Sequence, residues 1–214
     1  MLIPKEVKTI IEKLKKAGFQ AFIVGGCVRD ILRKAKPEDW DIATNAKPEQ
    51  TQKLFPKSFY ENKFLTVTVQ TGNKTRELKE VEITTYRSEA KYSDKRHPDE
   101  VKFAETIKED LARRDFTVNA IALTIEDKKQ IIEDHFNGQK DLKAKLIKAV
   151  GDPEKRFSED ALRMMRAVRF FTSLNNGKWQ IEQKTAKAMK NNAHLLKEIS
   201  KERIRDELVK IIMS

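Results

Sequence analysis

The spacing of apolar and polar positions changes along the chain, and this change predicts an α/β region followed by a helical region. Over residues 4–17 apolar residues recur at helical spacing opposite lysines, which predicts an amphipathic helix with Pro4 in its first turn. Residues 19–24 form a continuous apolar run that is typical of a buried strand. From Gly151 onward strand patterns disappear, and helical spacing continues to Ser214.

The rest of the first region predicts short helices and strands in alternation. The predicted elements are a helix over 28–34, a strand over 39–43, a helix over 48–55, strands over 64–70 and 78–86 with a turn at Gly72-Asn73, and a polar loop over 87–105. The pattern changes from mixed helix and strand signals to helical spacing alone near residues 145–150. We therefore predict two domains, residues 1–147 and residues 148–214.

Composition restricts the class of protein without identifying it. The 214 residues are 39% hydrophobic and 36% charged, with a formal net charge of +11. Such a charge favours a polyanionic partner, although a lysine-rich surface that only aids solubility is nearly as common. Cys27 is the single cysteine, so an intrachain disulfide is excluded and a cytoplasmic setting is expected. The pattern contains neither a signal peptide nor a membrane span, and the histidines lack zinc-ligand spacing.

Two short segments carry candidate chemistry. Gly25 and Gly26 follow an apolar run and open a predicted helix, where backbone N–H groups can approach a phosphate. Asp39 and Asp41 lie two positions apart in a predicted strand, so their carboxylates share a face and suit Mg²⁺. Each segment alone is more often a tight turn or a solvated cap. Together they predict a site for a nucleoside triphosphate and its metal.

Two further segments contain closely spaced charged residues. Residues 111–120 read LARRDFTVNA, which without context is an exposed helix end. Residues 158–170 predict a single helix that Ser158 caps and that packs its apolar side chains, Leu162, Met165 and Phe170, into the core. On that helix the charged residues recur every three positions, which puts neighbours roughly 5–6 Å apart on one face. They are Asp160, Arg163 and Arg166, with Arg169 extending the row.

Six segments in a fixed order resemble one family. They are GGCVRDIL, DWDIAT, VEITTYR, RRDFTVNAIA, the run from FNGQKDL to RMMRAVRF, and ISKERIRDEL. The chain resembles the class II tRNA nucleotidyltransferases, which comprise the bacterial and eukaryotic CCA-adding enzymes and their poly(A) polymerase relatives. The resemblance implies an α/β (α+β) polymerase-β-like nucleotidyltransferase head, followed by an all-α neck domain that carries a nucleobase-template helix.

The resemblance also implies an activity and its substrates. A CCA-adding enzyme transfers nucleotides from CTP and ATP to the 3′ end of tRNA without a nucleic-acid template and releases pyrophosphate. Asp39 and Asp41 would hold two magnesium ions. Glu82 is either a third carboxylate beside this pair or a solvent-facing strand residue. Gly25 and Gly26 would receive the triphosphate.

Several charged residues receive roles from the same resemblance. Arg29 would neutralise phosphate charge, and Asp30 would orient Arg29 or cap local backbone. Arg114 and Asp115 match a motif that resembles a ribose clamp, with Asp115 accepting from a sugar hydroxyl. Asn119 would support that loop.

The base template is implied in the helical region. Asp160 would accept from the amino group of cytosine or adenine, and Arg163 would donate to the ring nitrogen. Guanine and uracil present the opposite polarity at those atoms and would be rejected. Arg166 and Arg169 would assist with base or phosphate. The segment 92–99 resembles a flexible loop that is associated with the change from CTP to ATP, and it favours complete CCA addition.

Alternatives remain at this point. An A-adding enzyme or poly(A) polymerase shares the scaffold, a non-catalytic RNA-binding derivative is a second alternative, and a module that needs a partner subunit is a third. The family usually continues into body and tail domains, so the chain is either a fragment or a naturally short enzyme. The last helix, predicted over 201–213, has an apolar stripe that either packs onto the neck or mediates self-association. The stripe consists of Ile204, Leu208, Ile211 and Ile212.

Overall fold

The first of two compact units is built on a mixed β-sheet. The computed structural model describes residues 3–61, 65–90, 100–127, 129–174 and 178–214. The strands of the main sheet are β1 (Ala21–Val24), β2 (Asp41–Thr44), β3 (Ser58–Glu61), β4 (Thr66–Gln70), β5 (Glu80–Thr85), β8 (Ala122–Glu126) and β9 (Lys129–Glu133). Between β5 and β8 in the chain, β6 (Arg87–Ala90) and β7 (Glu100–Phe103) pair with each other. Their order across the seven-stranded sheet is β3-β4-β5-β2-β1-β8-β9. Neighbouring strands are antiparallel except β2 and β5, which run parallel.

The helices of this unit are α1 (Lys5–Lys16), α2 (Gly26–Leu32), α3 (Pro48–Leu54), α4 (Arg76–Lys79) and α5 (Ile107–Ala112), the last of which ends at the unit boundary. Helix α1 packs into the core with the apolar face that the sequence predicts. The predicted α1 stripe is confirmed, because Val7, Ile10, Ile11 and Leu14 are all buried. They join the buried side chains of β1, β2, β4, β5 and β8 in one hydrophobic core. This core fixes the sheet whose open face carries the candidate site.

The second unit is mainly helical. Its elements are α6 (Gly138–Ala144), β10 (Leu146–Ile147), α7 (Pro153–Glu159), α8 (Leu162–Ser173), β11 (Gln180–Ile181), α9 (Gln183–Asn192) and α10 (Lys201–Ile212), with a 3₁₀ turn over Ala193–Glu198. The buried ring of Phe116 meets Phe170 of α8 edge to face, with ring centroids 5.8 Å apart. The prediction of an α/β region followed by a helical one is confirmed, apart from the short parallel pair β10–β11.

Each unit consists of several segments of the chain rather than one continuous stretch. The first comprises residues 1–88, 103–111 and 119–135, and the second comprises residues 89–102, 112–118 and 136–214. The domain boundary at residue 147 stays a prediction. No helix in the described ranges is long and apolar enough to cross a membrane.

Several predicted elements were wrong in their bounds. The strand predicted over 39–43 begins at Asp41, and Asp39 lies in the bend before it. The segment 78–86 enters its strand from helix α4, and β3 was missed. Residues 87–105 contain β6 and β7 where a loop was predicted. β6 (RSEA) and β7 (EVKF) each contain two charged residues, so they lack the apolar alternation by which a strand is predicted.

The single helix predicted over 158–170 is two helices. Asp160 has φ −146° and ψ 103°, which ends α7. Its Oδ1 accepts from the Leu162 backbone N–H at 3.1 Å, so Asp160 rather than Ser158 caps the following helix. On α8 Met164 is buried, whereas Met165, the predicted core residue, is half-buried. The three-residue spacing of charges therefore spans a helix break.

Candidate active site

Strand pairing aligns two acidic side chains on the open face of the sheet. Asp41 on β2 is the register partner of Glu82 on β5, and Glu82 is in turn the partner of Thr68 on β4. Residues at the next position of each strand, Ile42 and Ile83, are buried. Since side chains alternate between faces, Asp41 and Glu82 share the polar face. Asp41 is half-buried and Glu82 is exposed.

Asp39 joins this face from the bend before β2. It lines the same cavity as Asp41 and Glu82, which has a volume of about 760 Å³. The other lining residues are Glu38, Trp40, Thr68, Arg76, Glu77 and Glu80. Carboxylates therefore dominate the wall of this concave surface.

The electrostatic setting of Asp39 reflects this crowding of acids. Partial desolvation of the carboxyl group raises the pKa of Asp39, and the charges of Glu38 and Asp30 raise it further, against the opposing charge of Arg29. The residue as a whole is exposed, but its carboxyl group stands close to enough protein to lose part of its hydration. Functional carboxyl groups commonly lie in a cleft and have a raised pKa.

The donor set fits a hard divalent cation in its chemistry. Carboxylate oxygens are the ligands that Mg²⁺ prefers, and a cation would relieve the repulsion around Asp39. Among the described residues, no group of three or more acidic, histidine or cysteine side chains is gathered closely enough to hold a metal. Asp39 and Asp41 therefore remain the predicted pair, and a ligand role for Glu82 stays a prediction.

The glycine turn is built as its sequence predicts. Gly25 adopts φ +80° and ψ −138° at the start of α2, a conformation that L side chains rarely tolerate. The Arg29 guanidinium lies beside it, because a Cβ on Gly26 would be 3.6 Å from Arg29 Nη2. Arg29 donates from Nε and Nη2 to the two carboxylate oxygens of Asp30, at 3.0 and 2.8 Å. Asp30 thus orients Arg29, which was one of the two roles expected of it.

Asn119 has a contact that the sequence did not predict. It ends the 3₁₀ turn Thr117–Asn119 and is buried. Its Oδ1 accepts from Arg29 Nη1 at 2.9 Å, across 90 residues of sequence. Asn119 therefore contacts the guanidinium expected to bind phosphate, in addition to its expected role in its own loop.

In the second unit, Asp115 is buried and holds two partners. Its Oδ1 accepts from the Phe116 backbone N–H at 2.8 Å, and its Oδ2 accepts from Arg166 Nε at 2.8 Å. Asp115 raises the pKa of Arg166. Arg114, its neighbour in the predicted ribose-clamp motif, is half-buried. The sequence placed Asp115 and Arg166 in different motifs, and the fold brings them together.

Asp160 is paired with an arginine from the last helix. Arg203 of α10 donates from Nη2 to Asp160 Oδ2 at 2.9 Å and from Nη1 to Oδ1 at 3.4 Å. The side chains are 23% and 16% exposed, so this is a largely desolvated bidentate pair. Arg203 fixes the direction of the carboxylate predicted to read the base.

Arg163 is held by a different set of partners. Its Nη1 donates to Glu159 Oε2 at 2.9 Å, and its Nη2 donates to the Arg113 carbonyl at 3.3 Å. Glu159 Oε2 also accepts from Arg156 at 2.8 Å. Glu159 therefore bridges two arginines and orients the guanidinium predicted to contact the base.

Arg169 Nε lies 2.8 Å from Oε2 of Glu207, a buried carboxylate on α10. Burial lowers the pKa of Arg169, and the nearby charge of Arg166 lowers it further, while Glu207 opposes both. With Arg203, Glu207 makes α10 the element that pairs with the charges of α8 and its cap. Glu159, Arg203 and Glu207 were not among the predicted site residues, and the only sequence signal for the last two is their spacing by one helical turn.

The stripe predicted on the last helix is only partly covered. Ile204 and Ile211 are half-buried, whereas Leu208 and Ile212 are exposed. The predicted loop over 92–99 lies outside the described residues, so its role stays a prediction.

Known proteins resemble the chain in sequence and in structure. A family model for the poly(A) polymerase head domain matches residues 21–148, and one for a probable RNA and SrmB-binding site of polymerase A matches residues 179–214. The CCA-adding enzyme of Lactobacillus helveticus is 50% identical over 203 residues, 94% of this chain and 48% of that protein. The chain spans about half the length of the curated relatives it matches.

Two solved structures have the same fold as this chain. The crystal structure of the Bacillus stearothermophilus CCA-adding enzyme in complex with CTP aligns with a TM-score of 0.84 and 41% identity, over 98% of this chain and 49% of that one. The Thermotoga maritima CCA-adding enzyme complexed with tRNA-CCA aligns with a TM-score of 0.77 and 27% identity, over 99% of this chain and 48% of that one. These matches confirm the predicted nucleotidyltransferase fold class.

Proposed function

Because this chain belongs to the family of the poly(A) polymerase head domain, we propose that it catalyses nucleotidyl transfer from CTP and ATP to the 3′ end of tRNA. The product is a CCA end, pyrophosphate is released, and no nucleic-acid template is used. The observation that carries this proposal is the acidic cavity, in which strand register sets Asp41 beside Glu82 and the preceding bend adds Asp39. Relatives named CCA-adding enzymes support the choice of product.

Asp39 and Asp41 are the residues that would hold magnesium. When bound, two such ions activate the attacking hydroxyl and neutralise the leaving pyrophosphate. The contribution of the chain is to hold carboxylate oxygens on a rigid strand and on the bend before it. Crowding among the acids gives the cavity a negative potential that attracts the cation.

The glycine turn and Arg29 bind the triphosphate in this proposal. Gly25 and Gly26 bring backbone to the phosphates without a Cβ, and Arg29 supplies a guanidinium that Asp30 holds in place. Arg114 and Asp115 contact the ribose. The hydrogen bond from Arg166 orients the Asp115 carboxylate.

Asp160 and Arg163 select the base. A carboxylate accepts from the amino group that cytosine and adenine share, and a guanidinium donates to the adjacent ring nitrogen. Arg203 and Glu159 hold these two side chains in their orientations. Arg166 and Arg169 add positive charge near base or phosphate. The predicted result is a preference for CTP and ATP over GTP and UTP.

Partners and location follow from this substrate. The chain acts on tRNA, which in a bacterial cell requires the cytoplasm. We also propose that α10 self-associates, because Leu208, Val209 and Ile212 on this helix and Met213 after it are exposed. Light scattering on the wild type and on Ile212→Glu checks this: a dimer that the variant abolishes is expected, and a monomeric wild type would contradict it.

One experiment tests the activity. A tRNA transcript that lacks its CCA end is incubated with Mg²⁺ and with each nucleotide alone, then with CTP and ATP together. Addition of two C residues followed by one A is expected. The second candidate is an A-adding enzyme or poly(A) polymerase, which the name of the matching head-domain family favours. Addition of A without any C would select that candidate, and no addition with intact RNA binding would indicate a non-catalytic derivative.

A further inference from the structure

Arg29 is held in place by two neighbours of different charge. Asp30 accepts from its Nε and Nη2, and Asn119 accepts from its Nη1 at 2.9 Å. The Arg29 and Asp30 side chains are only 11% and 15% exposed. A guanidinium that donates hydrogen bonds from three nitrogens is held in one orientation. Less side-chain conformational entropy is then lost when a ligand binds.

The segment that carries Asn119 is tied twice to the glycine turn. One tie is the hydrogen bond from Arg29 to Asn119, and the other is the Gly25 backbone N–H, which donates to the Ile121 carbonyl at 3.4 Å. Asn119 itself is only 6% exposed. Its amide is therefore buried beside the helix that the glycine turn begins.

The charge of this cluster depends on the neutrality of Asn119. Asp30 also accepts from Arg33 Nη1 at 3.1 Å, so two guanidinium groups share one carboxylate. The formal charges of these three side chains sum to one positive charge, and the carboxyl group of Asp39 lies close enough for the charges of Arg29 and Asp30 to act on it. An aspartate in place of Asn119 would offer Arg29 the same acceptor atom, but it would add a further negative charge beside the guanidinium.

We propose that Asn119 is a positioning residue for the triphosphate: its amide oxygen orients Arg29 without neutralising the positive charge that attracts the phosphates. The proposal rests on the proposed function, in which Arg29 contacts the triphosphate. A purely structural Asn119 would only link the glycine turn to the strand that follows residue 119. The two roles differ in what the isosteric substitution Asn119→Asp does.

The test compares affinity with stability in Asn119→Asp. Calorimetry with Mg²⁺ measures the binding of tripolyphosphate, which has no base, and of CTP to the full 214-residue chain. Loss of one charge-assisted phosphate contact predicts that both ligands bind about tenfold more weakly. The melting temperature is expected to stay equal or rise, because the link to Arg29 becomes an ion pair.

A matched control keeps the substitution but moves it away from Arg29. Asn45 directly follows β2, at the end opposite Asp41, is exposed, and its Oδ1 accepts from the Gln20 backbone N–H at 2.8 Å. Asn45→Asp adds the same charge to the same unit and is expected to bind both ligands as the wild type does.

Each outcome decides between the roles. Wild-type affinity of Asn119→Asp for both ligands would overturn the proposal and leave the proposed function standing. If that variant does not fold, Asn119→Ala is measured instead; weaker binding supports the proposal and unchanged binding overturns it. A wild type that binds neither tripolyphosphate nor CTP would overturn the proposed function itself.

Discussion

The acidic cavity of the first unit and the ion-pair network of the second handle charge in opposite ways. In the cavity like charges gather, because its described lining residues include six carboxylate side chains and one arginine, Arg76. In the second unit, charges alternate in sign, as in the pairs Asp115–Arg166, Asp160–Arg203 and Glu159–Arg163. Neighbouring acidic charges raise the pKa of Asp39 in this cavity, whereas each of the named pairs in the second unit joins opposite charges.

This difference separates two kinds of functional residue. A crowd of like charges costs stability and is retained where a ligand of opposite charge completes it. A paired network needs no ligand, and its value is the direction it gives to each group. The cavity acids are therefore expected to matter mainly for the reaction, and the network mainly for stability and for the choice of base.

The largest effect is expected from removing one cavity acid. Asp39→Asn deletes a proposed metal ligand, and nucleotide incorporation into a tRNA that lacks its CCA end is expected to fall by about a thousandfold or more. The melting temperature should stay equal or rise, because the substitution removes a partly desolvated charge. Primer extension and thermal unfolding measure the two effects on one preparation.

The matched control for this variant is Glu80→Gln in the same cavity. Glu80 precedes Glu82 by two positions on β5, is exposed, and has no proposed role in metal binding. Its neutralisation is expected to leave incorporation within about twofold of the wild type. Equal losses in both variants would show that the total negative charge matters, and would contradict a specific role for Asp39.

A smaller effect is expected from breaking one ion pair of the second unit. Here the substitution should lower stability rather than leave it equal or raise it. Arg203→Gln leaves Asp160 largely buried without its ion-pair partner, which should lower the free energy of unfolding by about 2 kcal/mol. The melting temperature would fall by about 4–8 °C. The ratio of CTP to UTP incorporation should also fall, because Asp160 loses its fixed direction.

The conservative partner Arg203→Lys separates charge from direction. Lysine keeps the positive charge but lacks the planar fork, so it should recover part of the stability and little of the base selectivity. A variant that loses stability while its nucleotide selectivity is fully retained would limit Arg203 to a structural role.

The sequence revealed the motifs better than it revealed their connections. Asp39, Asp41 and the glycine turn could be found because their chemistry depends on neighbours one or two positions away. Asp160 and Arg163 were predicted to share a helical face, but Asp160 ends one helix and caps the next, which three-residue spacing does not reveal. Contacts between residues that are distant in the sequence could not be predicted from the local pattern.

The links from Asn119 to Arg29 and from Arg203 to Asp160 illustrate the reason. They join residues 90 and 43 positions apart, respectively. The register of β2 with β5, which sets Asp41 beside Glu82, is of the same kind. Such pairings are set by how strands and helices pack, and an individual polar side chain carries no periodicity from which its distant partner can be read.

The smallest predicted effect is the pH dependence of the difference in melting temperature between the wild type and Asp39→Asn. The pKa of Asp39 is raised in the folded chain, so the folded state binds its proton more tightly than the unfolded state does. Its contribution to stability is present at low pH and is lost as the pH rises through the raised pKa. Asp39→Asn lacks this titration, so its advantage in melting temperature should be full at neutral pH and shrink as the pH falls. Thermal unfolding of both proteins between pH 3 and pH 8, roughly the range that spans carboxyl titration, measures the difference. A difference that stays constant over this range would mean that the crowded charge of Asp39 does not burden the fold.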